Sequence, residues 1–197
     1  QFSSAGMTIL VKSYLEHNKE DCNYIISEAE RLLDINPATT GELDSKVRKV
    51  RQGMSGFITT AMQEHMPLWQ FIAPSFWNAI NDSNRNSYGF NVSYLDSIQY
   101  TVYNGDEDAG DFYDWHIDTF LETPNAFQRK LSLTLQLSDT NDYEGGDFEF
   151  MHSSSPPDVR GQGNILVFPS FMTHRVTPVT KGTRRSLVAW FEGSKFK

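Results

Sequence analysis

The chain has 197 residues, 39% of them hydrophobic and 13% aromatic, which predicts one globular domain and excludes a disordered polymer. Its net charge of −8 argues against broad binding to a nucleic-acid backbone, which needs clustered Lys and Arg. No apolar run reaches the ~20 residues that span a bilayer, no signal peptide is read at the start, and the single cysteine, Cys22, rules out an internal disulfide and suits a reducing, cytoplasmic setting.

Gln1 to Gly6 read as a remnant ahead of the first strand-like run at Met7. Asn18 is a plausible N-cap, and Cys22, Ile25, Ile26, Ala29, Leu32 and Leu33 then follow the helical period, with Cys22 as a core thiol. The basic stretch Lys46, Arg48, Lys49 and Arg51 reads as a solvated face or edge strand, with a partner contact as the alternative. A second helical stripe comprises Leu68, Phe71, Ile72, Phe76, Ala79 and Ile80; Pro67 opens it and Pro74 is expected to kink or restart it. Both stripes read as core faces. His17 and His65 read as solvent-exposed.

The pattern changes near Tyr94. Short β-rich runs follow at Ser97–Tyr103, Phe112–Asp118, Lys130–Leu137, Asp147–Met151, Asn164–Phe168, His174–Val179 and Arg185–Phe191. Asn104-Gly105, Gly145-Gly146, Pro156-Pro157, Gly161-x-Gly163 and Lys181-Gly182 punctuate them. So many short strands predict a mainly β, α+β fold, a closed sandwich or jelly roll with the N-terminal helices packed on one sheet. Residues 1–95 would be helical support with the first strands, and 96–193 the jelly-roll core of a single domain.

The chemistry concentrates in His116-Ile117-Asp118. On a strand, residues i and i+2 share a face, so His116 and Asp118 would project together while Ile117 enters the core. His174 lies 58 residues on and could complete the set from a neighbouring strand. Two imidazoles and a carboxylate form the facial triad that leaves three positions open on non-haem Fe(II). Zinc accepts the same ligands, but Arg184, ten residues past His174, disfavours it: a guanidinium forks onto a carboxylate through parallel hydrogen bonds. Ser186 would share its face, whereas Arg185 must point the other way. His152, at a loop edge, is a reserve ligand only.

These residues resemble the Fe(II)- and 2-oxoglutarate-dependent dioxygenases, in particular the prolyl 4-hydroxylases and the PKHD-type hydroxylases. The likeness runs from about Ser97 to Gly193 and is best from Phe168 to Arg184, where the family's distal histidine and co-substrate-binding residue fall on His174 and Arg184. The family's HxD falls on His116 and Asp118, tyrosines preceding it on Tyr103 and Tyr113, and a glycine pair on Gly145-Gly146. The resemblance implies a double-stranded β-helix, with Fe(II), 2-oxoglutarate and O2 as requirements and ascorbate as a candidate accessory. The far carboxylate of 2-oxoglutarate would meet Arg184, and its decarboxylation to succinate would be coupled to C–H hydroxylation. Prolyl hydroxylases often carry lysine at the clamp, so arginine points to the PKHD-like side. A tyrosine that reaches the co-substrate in relatives is replaced here by Gln136, or functionally by Thr134 on the same polar face as Ser132.

Asp106, Glu107, Asp108, Asp111 and Asp114 read as a solvated acidic loop or as a lid steering a basic protein segment. Tyr113 and Trp115 could form an aromatic wall, with core packing the alternative for Trp115; Trp190 reads as core. The expected substrate is a peptidyl residue, with proline the leading choice; a free amino acid or small metabolite, and a cupin-like module without turnover, are the alternatives. In nucleic-acid demethylases of the same superfamily a second arginine would fall on Trp190, so nucleic acid is not expected.

Overall fold

The computed structural model describes residues 13–15, 18–38, 50–119, 124–151 and 159–196. The expected run at Met7, the residues His17, Lys46, Arg48, Lys49 and His152, and the Pro156-Pro157 turn lie outside them. Two helices, α1 (Lys19–Leu32) and α2 (Met66–Ser83), precede most of the β structure. The side chain of Asn18 accepts from the Asp21 amide at 2.9 Å and so caps α1, whose Glu20 and Asp21 suit the positive end of the helix dipole. Cys22, Ile25 and Ala29 form its buried face. Helix α2 opens with Pro67 in its first turn and does not restart at Pro74 but continues through it to Ser83. The apolar packing of Leu68, Ile72, Phe76, Ala79 and Ile80 sustains it across the missing amide. Phe71 departs from that stripe and is exposed.

The strands are β1 (Ser13–Leu15), β2 (Asn36–Pro37), β3 (Arg51–Gln52), β4 (Met54–Ile58), β5 (Tyr94–Asn104), β6 (Phe112–His116), β7 (Phe127–Gln136), β8 (Tyr143–Gly145), β9 (Phe148–Phe150), β10 (Asn164–Pro169), β11 (His174–Val176) and β12 (Val179–Ser194). The larger sheet runs β1-β10-β7-β12-β5-β4-β2, with β8 also paired to β12; the smaller runs β3-β6-β11-β9. Every pairing is antiparallel. This is the expected mainly β jelly roll. The run expected over His174–Val179 divides in two, because Thr177 and Pro178 leave the ladder before β12 starts. The short strands β2, β3 and β8, of two, two and three residues, carry too few for a readable period.

Period-two alternation on β7 and β12 divides the molecule into two apolar regions. Leu131, Leu133, Leu135, Leu187, Ala189 and Phe191 face α1 and α2, sharing one core with Cys22, Ile25, Ile72 and Phe76. The opposite face meets the smaller sheet through Tyr103, Tyr143, Phe148, Phe150, Phe168 and Val176. Helices from the first half therefore cover one face, and the space between the sheets is left for a site. Cys22 is a core thiol, fully buried, and burial with the nearby Asp21 carboxylate pushes its pKa up to about 11. We expect Cys22 to react with iodoacetamide roughly 100-fold more slowly in the native protein than after denaturation, as followed by mass spectrometry. Equal rates would contradict its packing.

Candidate active site

The site follows from the register of the smaller sheet. Strands β11 and β6 pair with His174 directly opposite His116, which closes the 58-residue gap in sequence. The two rings lie 4.1 Å apart by centroid, and one donor atom from each of His116, Asp118 and His174 falls within a 4.8 Å group. Asp118 arrives differently from the expected strand alternation. Strand β6 ends at His116, Ile117 turns out to 42% exposure instead of entering the core, and Asp118 folds back under it, buried. The amides of Asp118 and Thr119 both donate to Ser170 O, at 2.8 and 3.2 Å, and hold that turn.

Each imidazole is set for metal binding by its own backbone. His116 Nδ1 is 2.8 Å from Asp114 O and His174 Nδ1 is 2.9 Å from Met172 O, so both Nδ1 atoms carry the proton and both Nε2 atoms present lone pairs. Those Nε2 atoms sit 3.6 and 3.7 Å from the two oxygens of Asp118. Burial, together with the neighbouring His174, brings the His116 pKa down to about 4, so the ring is neutral near pH 7. Burial alone would raise the Asp118 pKa, but the two histidines and a hydrogen bond from Ser132 outweigh it and keep the carboxylate ionised. Two lone pairs and an anion converging in a buried space are mutually repulsive unless a cation joins them. The donor set fits a divalent metal with nitrogen and oxygen preferences, Fe(II) among them. Tyr113 stacks on His116 at 3.4 Å and 9°, fixing the ring from outside, and burial pushes its phenol up to about 12, so it remains a donor.

Along β12, Arg184, Ser186, Val188 and Trp190 line one cavity that also takes in the three candidate ligands, Tyr103, Tyr113 and Thr134. Arg184 is only 2% exposed. Its Nη1 donates to Ser186 Oγ at 3.3 Å, and its guanidinium lies 5.9 Å from the Tyr103 ring. Among the described residues it forms no ion pair, which leaves a buried cation facing the cavity. Arg185 faces the other way and pairs with Glu30 of α1 at 2.9 Å. Gly146 makes room for this arrangement: its φ is +63°, and a Cβ there would come within 2.9 Å of Arg184 Cδ.

Other expected residues fall elsewhere. Gln136 is buried but is not among the lining residues; its amide donates to Tyr143 Oη at 3.2 Å, so the polar face of β7 reaches the cavity through Thr134. Trp115 lies on the outer side of β6 beneath the Arg175 guanidinium, 4.5 Å away, and takes no part in the cavity wall. His65 is buried, not exposed, and its Nδ1 accepts from the Thr59 amide at 3.2 Å. In the acidic segment, Asp106 Oδ1 accepts from the Asp108 and Ala109 amides and Asp111 Oδ2 from that of Asn104, so these two shape a turn.

Several site residues carried no readable signal. Arg51, read as part of a solvated face or edge strand, does lie on the edge strand β3, but it also lines the cavity, with its guanidinium 4.7 Å from the Tyr113 ring and Nη2 3.3 Å from Gln99 Oε1. Trp190 is buried, as expected of a core residue, but it also forms part of the cavity wall, and the Arg129 guanidinium covers it at 4.0 Å. Ser132 and Ser170 stand behind Asp118. None belongs to a spaced motif; the alternation of β7 put Ser132 on the polar face with Thr134 but gave it no role.

With this geometry in view, residues 98–192 match the family model of the 2OG-Fe(II) oxygenase superfamily. That segment, just under half of the 197 residues, carries His116, Asp118, His174 and Arg184. Among curated oxygenases of this type, the chain is 40% identical over 84 residues to a PKHD-type hydroxylase of Idiomarina loihiensis, covering 42% of this chain and 38% of that protein. It is 38% identical over 86 residues to a PKHD-type hydroxylase of a Synechococcus strain, covering 43% and 38%. The match thus spans less than two fifths of the length of these relatives. Solved oxygenase structures superpose over nearly the whole chain. The viral collagen prolyl hydroxylase of Paramecium bursaria Chlorella virus-1 gives a TM-score of 0.67 at 14% identity, covering 93% of this chain and 96% of that one. A Pseudomonas putida prolyl-4-hydroxylase gives 0.66 at 18%, covering 96% and 95%. At such identities the likeness is one of fold, a double-stranded β-helix in each case. Among the described residues, no helix is long and apolar enough to cross a membrane.

Proposed function

We propose that this chain is an Fe(II)- and 2-oxoglutarate-dependent hydroxylase of a peptidyl residue, with proline the leading candidate. Residues 96–193 act as the catalytic core and 1–95 as its support. The observation that carries the reading is the meeting, in one cavity, of a buried guanidinium that has no ion pair among the described residues with a triad of two imidazoles and a carboxylate, of which Asp118 and His174 are buried. A buried charge is costly without a partner, so Arg184 calls for a carboxylate ligand, and 2-oxoglutarate has one to give it while its other end reaches the triad.

His116, Asp118 and His174 would hold the metal. The chemistry supplied by a bound ferrous ion is redox: 2-oxoglutarate, O2 and a substrate C–H bond are converted to succinate, CO2 and an alcohol. Arg184 and Ser186 receive the distal carboxylate, Tyr103 and Thr134 wall the co-substrate, and Phe148, Phe168, Val176 and Val188 exclude water from the reacting centre. Arg51 Nε and Trp190 Nε1 are buried without hydrogen-bond partners among the described residues and border the same cavity. Two unpaired donors beside an apolar wall suit a substrate that brings carbonyl oxygens, as a peptide backbone does. A solved prolyl hydroxylase from Trichoplax adhaerens, TM-score 0.67 and 15% identical over 94% of this chain and 84% of that one, is in complex with a peptide fragment, which supports the same substrate class.

The test is incubation of the Fe(II)-loaded protein with 2-oxoglutarate and O2 against proline-containing peptides, basic peptides and a panel of free amino acids. We expect succinate formation and a mass gain of one oxygen atom on peptides. Oxygen on a free amino acid alone would move the substrate to small metabolites. No succinate under any condition would remove the reading.

A further inference from the structure

Asp118 has two carboxylate oxygens, and an open metal face requires that only one of them serve as ligand. A carboxylate that chelated through both would take a position needed by O2 or the co-substrate. Ser132 Oγ donates to Asp118 Oδ2 at 2.7 Å, within the short range of a hydrogen bond to an anion. Its single proton is therefore committed to the carboxylate. Ser170 Oγ lies 2.9 Å from Ser132 Oγ and must donate to it, so the hydroxyls form a directed chain, Ser170 to Ser132 to Asp118. Ser170 also fixes the backbone of the same ligand, since its carbonyl accepts both the Asp118 and Thr119 amides. The Ser170 amide donates to Lys130 O at 3.0 Å, tying this anchor to β7, the strand that bears Ser132.

Both serines are completely buried, and neither lines the cavity, so neither can touch substrate or co-substrate. They are also misplaced as packing residues. Ser132 pairs with Phe168 on β10 and with Trp190 on β12, and a small apolar side chain would fill such a site at no polar cost. What the hydroxyls add is a preset direction for the Asp118 carboxylate, which the end of β6 leaves unsupported by strand geometry.

We propose that Ser132, aligned by Ser170, is a positioning residue that reserves Asp118 Oδ2 and so presents the carboxylate to the metal through one oxygen. The proposal rests on the metal reading above. It predicts that Ser132→Ala weakens Co(II) binding to the metal-free protein by about 10–100-fold, the usual cost of losing an outer hydrogen bond to a ligand. Ser132→Thr, which keeps the hydroxyl, should restore affinity to near wild type. Ser170→Ala should give a smaller loss, because it removes only the upstream donor. Calorimetry supplies the affinities. The visible spectrum of the Co(II) protein supplies the coordination, and a change in it for Ser132→Ala but not Ser132→Thr is expected if the carboxylate becomes free to chelate. Should Ser132→Ala fail to fold, Ser170→Ala, with its intermediate affinity, carries the test. Wild-type affinity and spectrum in Ser132→Ala, or in a folded Ser170→Ala if the first is lost, overturn the proposal. Absence of Co(II) binding in the wild type would instead overturn the metal reading itself, so the two failures are distinguishable.

Discussion

Alanine at any one of His116, Asp118 or His174 takes 2-oxoglutarate-dependent succinate formation to background and lowers Co(II) affinity by more than about 100-fold, since loss of an outer hydrogen bond alone costs about 10–100-fold. The three side chains converge from a strand end, the turn after it and the facing strand. Two ligands cannot complete a facial set, and the pair that remains, two imidazoles or one imidazole and the carboxylate, holds a divalent ion only weakly. The expected defect is in metal binding rather than folding: each imidazole makes its other hydrogen bond to a backbone carbonyl within two residues, so its removal leaves the β6–β11 ladder in place. Calorimetry with Co(II) and far-ultraviolet circular dichroism of the same preparations separate these effects. Undiminished succinate formation in all three variants would end the iron assignment.

Arg184→Ala raises the 2-oxoglutarate concentration needed for half-maximal turnover by about ten- to a hundredfold, the equivalent of the roughly 1.5–3 kcal/mol associated with a hydrogen bond to a charged group. Arg185→Ala leaves that concentration nearly unchanged. The contrast follows from one step along β12. Arg184 is buried against Ser186 with no carboxylate partner among the described residues, whereas Arg185 reaches Glu30 in a partly exposed pair worth at most about 1 kcal/mol to stability. Steady-state kinetics on both variants, with thermal melting as control, decides it. Sensitivity at Arg185 and tolerance at Arg184 would mean that the co-substrate does not lie along the Arg184–Trp190 face.

Much of the site was legible because local periodicity carries it. The alternation of Leu131, Leu133 and Leu135 with Ser132 and Thr134 gave β7 two faces before any fold was known, and that of β12 separated Arg184 from Arg185. Where sequence reading failed, a tertiary partner overrode a local rule. Strand periodicity would have sent Ile117 inward, but β6 stops at His116, and two hydrogen bonds to Ser170 O redirect the chain. Gln136 was assigned to the co-substrate by its place on β7, yet Tyr143 on the unforeseen strand β8 takes its amide. Arg51 read as one of four basic residues on a solvated face or edge strand; it does lie on the edge strand β3, but pairing of β3 with β6 sets it beside Tyr113, in register across the sheet, and so at the cavity.

The sequence by itself determined the secondary-structure class, the two helical core faces and the facing of Arg184 away from Arg185, because side-chain period is a short-range property of a strand or helix; it also named His116, Asp118 and His174 as candidate ligands, which the pairing of β6 with β11 brings together. The tertiary structure alone decided which serines brace Asp118, which unpaired donors border the substrate space and which charged residues are buried. Those depend on strand register between segments far apart in the chain, and no local periodicity encodes a register that only the packed sheets select.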